Sequence, residues 1–381
     1  MPALYAHLRF GEEVLRYLPS PLPALIRQYP EAYAIGTQGP DVLFYHKPMK
    51  KNELRSHGTY LHTFSGHDFF QEQAQKLAEN TESDDVREIF QKNGAYAAYI
   101  CGFICHFTLD VVCHPFIDRN SCEALSHAKI ESEFDKFMLR KTRRPIRGYN
   151  TATPILLKNG AKEAVSRALD VPVENIKRAM KTMRKINRLF SYPMEWVHNV
   201  CHIVLGIIGM DRKFGDMFLH RDDDELAMRS NEVLYDKYNV ALPMAAGLMR
   251  EFFLNLHTFA DGYSLHNPLL NYNFSGILKI QQPPEEYTSS LEYQTSYFSS
   301  RPMPAPNTTP FGAPSGIPFG SPNGTSLPST PPPMPHPSIT PTPHPSHGAA
   351  PQQYQKPAPM PHPSLTQEQN GAPTPKKKNK R

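Results

Sequence analysis

The sequence is poor in features that would suit a secreted, membrane-spanning or nucleic-acid-binding protein. Its five cysteines, at 101, 105, 113, 122 and 201, form neither a CxxC pair nor an even disulfide framework, which excludes a disulfide-stapled scaffold and makes a cytosolic setting the expectation. The opening "LYAHLRFGEEVLRYL" is not a secretory hydrophobic segment. No apolar run is expected to reach the length of a membrane span. The best, "VCHIVLGIIGM" at 200–210, is short and reads as a buried helix. The net charge of +5 is diluted over 381 residues, and basic and aromatic residues are not concentrated together in the first 280, so no specific nucleic-acid partner is expected. Alternating strand patterns are scarce too; "TATPILLK" at 151–158 is the most obvious competitor.

Proline divides the chain. Of 39 prolines, 25 fall beyond residue 280. Segments such as "RPMPAPNTTPFGAPSGIPFG" carry too little apolar material to offset the ordering of their backbone, so 281–381 is expected to be a disordered, proline-rich tail. The element "PMPHPS" occurs at 333–338 and 359–364, a spacing that suits either a proline-motif-binding protein or low-complexity drift. The final "KKKNKR" suits an anionic membrane surface or simple solubility. The foldable part is then 1–280, and cytoplasmic residence with peripheral membrane contact is the expected location.

Within 1–280 the pattern is helical. Apolar periodicity and breakers place helices at 8–17, 21–33, 66–79, 84–114, 123–139, 159–168, 172–186, 193–209, 222–236 and 241–261. Pro115 is expected to end the fourth of these, and Asp170 with Glu174 to start the seventh. The expected fold is all-α, a single compact helical domain.

The chemistry concentrates in "HFTLDVVCHPF", 106–116. On a helix, residues four apart share a face, so His106, Asp110 and His114 stack along one side of an otherwise apolar segment. A metal cluster or a satisfied core network would compensate them. "HAKIESEFDKF" then repeats the spacing with His127 and Glu131. Upstream, "IGTQGPDVLFYH" sets Asp41 on a turn bounded by Gly and Pro, "SHGTYLHTF" supplies His57 and His62, and His7 lies near the amino terminus. Imidazole and carboxylate donors in this number suit zinc, and a carboxylate can bridge two ions.

The combined HxxxD and HxxxE segments resemble the zinc-dependent phospholipase C superfamily, whose folds are all-helical and whose three-zinc site is shared with the S1/P1 nucleases. The resemblance covers about residues 1–260 and leaves the tail outside. It implies that His106 binds the first zinc, that Asp110 bridges, and that His114, His127 and Glu131 hold a separate ion. Asp41 matches the family's early aspartate, as a ligand or as the group that orients and deprotonates water; Asp41 and Asp110 are the expected catalytic residues. For the histidine downstream of Asp41, His57 is the first candidate and His62 the second. Secreted members coordinate a third zinc through an amino-terminal Trp. Here the chain begins Met-Pro, so Pro2, exposed by removal of Met1, would take that place together with His7.

The resemblance thus implies a hydrolase of phosphodiester bonds holding up to three Zn2+ ions, with a phospholipid or another phosphodiester, including a nucleotide-like ester, as substrate. A non-catalytic metal-containing scaffold or binding protein is the competing class. Other pairs read as structural: His67–Asp68 in "GHDFF" lacks surrounding ligands, while His198–His202 and His257–Asp261 read as satisfied interior pairs.

Overall fold

In a computed structural model of the chain, the described residues are 4–122 and 125–279, apart from the side chains of 212 and 213. Pro2 and the proline-rich segment, with its repeat and basic end, lie outside them.

An apolar stretch with no polar face must be covered on all sides, and "GAYAAYICGFICHF" is such a stretch. It forms the middle of α6 (Val86–Asn120), where Ala97, Tyr99, Ile100, Phe103, Ile104 and Phe107 are fully buried. This helix is long and apolar enough by length and composition to cross a membrane, contrary to the sequence expectation, yet most of its apolar window lies inside the protein. Asp85 caps its start, accepting from the backbone N–H of Arg87 at 2.9 Å. Around α6 pack α1 (Leu4–Val14), α2 (Leu22–Ile26), α3 (Pro30–Gly36), α5 (Gly66–Ala78), α7 (His127–Lys141), α8 (Ala161–Leu169) and α12 (Glu225–Leu254). Where α3 crosses α6, Gly36 and Gly102 face each other so closely that a Cβ on either would strike the other helix's backbone.

Pro115 does not end α6, which runs on to Asn120. Proline removes a single N–H, whose acceptor would have been the Val111 carbonyl. The loop at Gly276, itself at φ +67°, packs against that carbonyl and the Pro115 ring, so the weakened turn is held from outside. Pro30 splits the helix expected at 21–33 into α2 and α3, and the two expected at 222–236 and 241–261 are continuous through Pro243 in α12, with α13 (Leu256–Ala260) following. Asp170 ends α8 in the left-handed region at φ +51° instead of capping α9 (Val173–Phe190), whose preceding residue is Pro172. Residues 151–158 contain no strand, and among the described residues the sole β pairing is an isolated bridge between Tyr272 and Leu278.

A short 3-10 helix (Gly39–Tyr45) and α4 (Glu53–Leu61) were not expected as helical; Asn52 caps α4 through the Arg55 N–H. The end of α9, α10 (Glu195–Ile207) and α11 (Asp211–Phe214) enclose a second, smaller core of Phe190, Phe214, Met217 and Phe218. Helix α10, expected to be buried, is instead open to solvent along one side.

Candidate metal centre

Five elements converge on one row of side chains. The inner face of α6 carries His106, Asp110 and His114 in sequence, α1 brings His7, and α7 brings His127 and Glu131. The Gly39–Tyr45 turn brings Asp41, and the last residue of the α4 cap is His62. Gly39 is required here twice over: its φ is +49°, and a Cβ on it would collide with the His106 ring.

Asp110 sits in the middle of the row. Its Oδ1 lies 3.2 Å from His7 Nε2 and 3.5 Å from His114 Nε2, while Oδ2 lies 3.2 Å from His106 Nε2. Farther along, Glu131 Oε1 is 3.6 Å from His114 Nε2 and 3.2 Å from His127 Nε2. At the other end His62 Nε2 is 3.2 Å from Asp41 Oδ1. Three triads therefore have donor atoms mutually within 4.8 Å: His7–His106–Asp110, Asp41–His62–His106 and His114–His127–Glu131. The middle of the row, at His106, is wholly buried, the Asp41–His62 end is 15–18% exposed, and the His127 side chain is 38% exposed, so the centre opens most widely at the His127 end.

The rings are held from behind. His62 Nδ1 pairs with the Gly58 carbonyl at 2.7 Å, His114 Nδ1 with the Phe274 carbonyl at 2.9 Å, and His127 Nδ1 with Asp118 Oδ1 at 3.0 Å. Each arrangement leaves Nε2 facing the row, the usual way an outer partner fixes the tautomer of a metal-binding histidine. His7 is placed through the backbone: Asp135 on α7 accepts the N–H groups of Tyr5 at 3.0 Å and Ala6 at 2.7 Å. Burial pushes the Asp135 carboxyl up to about 7, against the pull of those two N–H groups.

Burial acts to raise the acids of the row, but the imidazoles beside them outweigh it. His106 and His114 hold Asp110 well below the usual carboxylate range, and positive charge to which His62 and His106 contribute at Asp41, and His127 and His114 at Glu131, holds those two acids down as well. Conversely, burial would lower His114, while Asp110 and Glu131 push it up to about 9. So much buried charge is costly unless it is tightly compensated.

Zinc fits this donor set. Zinc bonds of about 2.0–2.1 Å to N and O ligands place neighbouring tetrahedral donors roughly 3.3–3.4 Å apart, and the N–O separations in the row run from 3.2 to 3.6 Å. His106 is fully buried, yet its Nδ1 has no hydrogen-bond partner and its Nε2 meets Asp110 without hydrogen-bond alignment; His7 Nδ1 is likewise unpartnered. Orphaned imidazole nitrogens beside a carboxylate are groups that a cation would satisfy.

Of the ten residues singled out in the sequence, the structure brings together eight: His7, Asp41, His62, His106, Asp110, His114, His127 and Glu131. Pro2 is outside the described residues. His57 is not in the row; its Nε2 pairs with the Leu169 carbonyl at 2.9 Å. Five residues apart on a helix are about 140° apart in direction, so the turn that aims His62 inward aims His57 elsewhere. The sequence does not single out Phe274 or Asp135, since their contributions come across long sequence separations and, for Phe274, from a backbone carbonyl. Elsewhere, Asp68 is mostly exposed beside His67, His257 pairs with Asp84 at 2.7 Å and not with Asp261, and His198 has neither ring nitrogen hydrogen-bonded.

Residues 6–187 match the family described as zinc dependent phospholipase C, just under half of the chain and the stretch that contains every residue of the row. No curated protein and no solved structure matches the chain.

Proposed function

Taking residues 6–187 as a module of the zinc-dependent phospholipase C family, we propose that the chain hydrolyses the phosphodiester bond of a phospholipid at a centre holding up to three zinc ions. The observation that carries this reading is the unbroken row from His62 to His127, with Asp110 placed between imidazoles from α1 and α6. His114, His127 and Glu131 would hold one ion; His7, His106, Asp110, Asp41 and His62 would hold the others, with Asp110 shared. Bound zinc supplies Lewis acidity and lowers the pKa of water.

The residues divide the remaining work. Asp41, kept ionised beside His62 at the opposite end of the row from His127, can orient an attacking water by accepting its hydrogen bond. Asp110 keeps three imidazoles facing one point. His127, the exposed member, marks the side from which a diester enters. Cytosolic residence is part of the proposal and draws on five cysteines that remain free thiols.

The test is turnover by untagged protein with its metal counted, on phosphatidylcholine vesicles, a soluble short-chain phosphodiester and single-stranded nucleic acid. Hydrolysis of the lipid, abolished by a chelator and restored by zinc, is expected. Preference for nucleic acid would replace the lipid with a nuclease-like substrate, and full metal loading without turnover on any diester would leave a scaffold.

A further inference from the structure

Charge is distributed unevenly along the chain. The whole sequence carries +5, yet residues 140–188 hold fourteen basic side chains against three acidic ones, so the remainder is net negative. The excess culminates in α9, which buries Ile176, Ala179, Met180, Met183 and Phe190 and exposes Lys177, Lys181, Arg184, Lys185 and Arg188. Like charges three and four residues apart repel one another on a helix surface. Elsewhere the fold answers an exposed cation with a carboxylate, as at Lys92 with Glu88 and Arg140 with Asp223. On α9, Lys177 meets Glu174, but Lys181, Arg184, Lys185 and Arg188 meet no carboxylate among the described residues.

These cations border two successive hollows between α9 and the segment 148–158. The first, of about 350 Å3, is lined by Lys181, Arg184 and Lys185 together with Ile155, Leu157 and Met180. The second, of about 450 Å3, is lined by Arg188, Asn150, Thr153 and Tyr192 among others. The wall facing α9, "GYNTATPILLK", contains no acidic residue, and Asn150 ties it to the helix by donating to the Arg184 carbonyl at 3.2 Å. Four uncompensated cations along one groove call for a polyanion, and the lining selects among polyanions. No aromatic ring lines the first hollow, so the bases of a nucleic acid would have nothing to stack on. A flat bilayer cannot enter a groove. Aliphatic side chains beside a cationic rim instead suit a peptide that carries both carboxylates and aliphatic residues. From Lys177 to Arg188 the helix rises about 16 Å, the length of roughly five residues of extended peptide. We propose that the groove between α9 and 148–158 binds an acidic peptide segment of a partner protein. Its carboxylates meet Lys181, Arg184, Lys185 and Arg188, and an aliphatic side chain rests on Leu157. Binding there uses no residue of the metal-binding row and requires no hydrolysis.

The probe is a fluorescein-labelled peptide, Leu-Glu-Glu-Leu-Glu-Glu-Leu, titrated with the full-length, zinc-loaded chain and read by anisotropy. Saturable binding that weakens as salt rises is expected, and the same peptide with Gln for Glu should not bind. The double variant Lys181→Glu, Arg184→Glu should bind about tenfold more weakly, as expected for two exposed charge pairs lost and reversed. The pair Arg229→Glu, Arg250→Glu changes net charge equally at exposed positions on α12 and should stay within about twofold of the parent. Leu157→Ser should weaken binding severalfold. All of these positions are exposed or half-buried, and circular dichroism matching the parent's shows that each variant is folded. Absence of binding by the unaltered chain would overturn the proposal, and so would equal weakening in the α12 pair, which would reduce the effect to overall charge. Unchanged affinity in Leu157→Ser, or tighter binding of a poly-dT strand than of the peptide, would overturn the acidic peptide as occupant.

Discussion

The Asp118 carboxylate lies 3.0 Å from Nδ1 of His127, and the opposite nitrogen of the same ring lies 3.2 Å from Glu131. One acid aims the imidazole and the other meets it. Replacing Asp118 with Asn should therefore weaken the ion at His114, His127 and Glu131 about tenfold, the lower end for loss of an outer partner, without changing total capacity at saturating zinc. Glu131→Gln should remove about one equivalent outright, and Asp110→Asn, which touches three imidazoles, should lose at least as much. Titration against a chromophoric chelator ranks the three. Full, tight loading in Asp110→Asn would end the bridging assignment.

His57 and His62 give an internal control. His62→Ala is expected to reduce zinc content and phosphodiester turnover at least tenfold. His57→Ala removes one hydrogen bond to the Leu169 carbonyl, worth roughly 0.5–1.5 kcal/mol of folding stability, and should leave metal content intact. Elemental analysis beside a urea melt separates the two effects. The opposite pattern would return His57 to the centre.

Gly39→Ala should act at a distance from any donor it alters chemically. The added methyl meets the His106 ring in a left-handed backbone position, a strain of about 1–2 kcal/mol plus displacement of the imidazole. Loss of both stability and zinc is expected, whereas Gly247→Ala, an exposed position inside α12 with open space around it, should keep its zinc and gain about 0.5–1 kcal/mol of stability. Equal zinc content in both variants would show that His106 tolerates movement.

Metal-free protein should also carry a pH signature. His114, held up to about 9 in the folded chain by Asp110 and Glu131, returns to about 6.5 when unfolded. A folded value above the unfolded one stabilises fully below the unfolded pKa and is lost as pH rises through the folded one. The denaturation midpoint of stripped protein should fall between pH 6.5 and 9, while zinc-loaded protein, which requires neutral imidazole, should not share the decline. A flat profile for the stripped chain would mean that the three groups do not titrate as a unit.

The helical class and the α6 and α7 donors were legible because a spacing of four states a face directly. Asp41 was legible from its Gly–Pro turn. The choice between His57 and His62 was not, because α4 lacks a strong apolar period and was read as a loop; without a helix, the directions of two residues five apart are undefined. Pro115 misled for a different reason. A proline rule concerns one lost hydrogen bond, and it says nothing of the loop at Gly276, more than a hundred residues away, that packs against the Val111 carbonyl and the Pro115 ring. The reading of 200–210 as buried failed because hydropathy records how apolar a segment is and not which side the tertiary structure covers.

His114 obtains its backing carbonyl from Phe274, far beyond Glu131, the last donor in the chain. A ribosome that has just released residue 200 has made every donor and not yet the strut that fixes one of them. On the proposed function, an ion at His114, His127 and Glu131 would then be held firmly only once the loop at 272–278 has closed. A stalled chain ending at residue 260 should accordingly give up zinc from His114, His127 and Glu131 to a chelator faster than the finished protein; identical release rates would mean that the centre matures before its strut arrives.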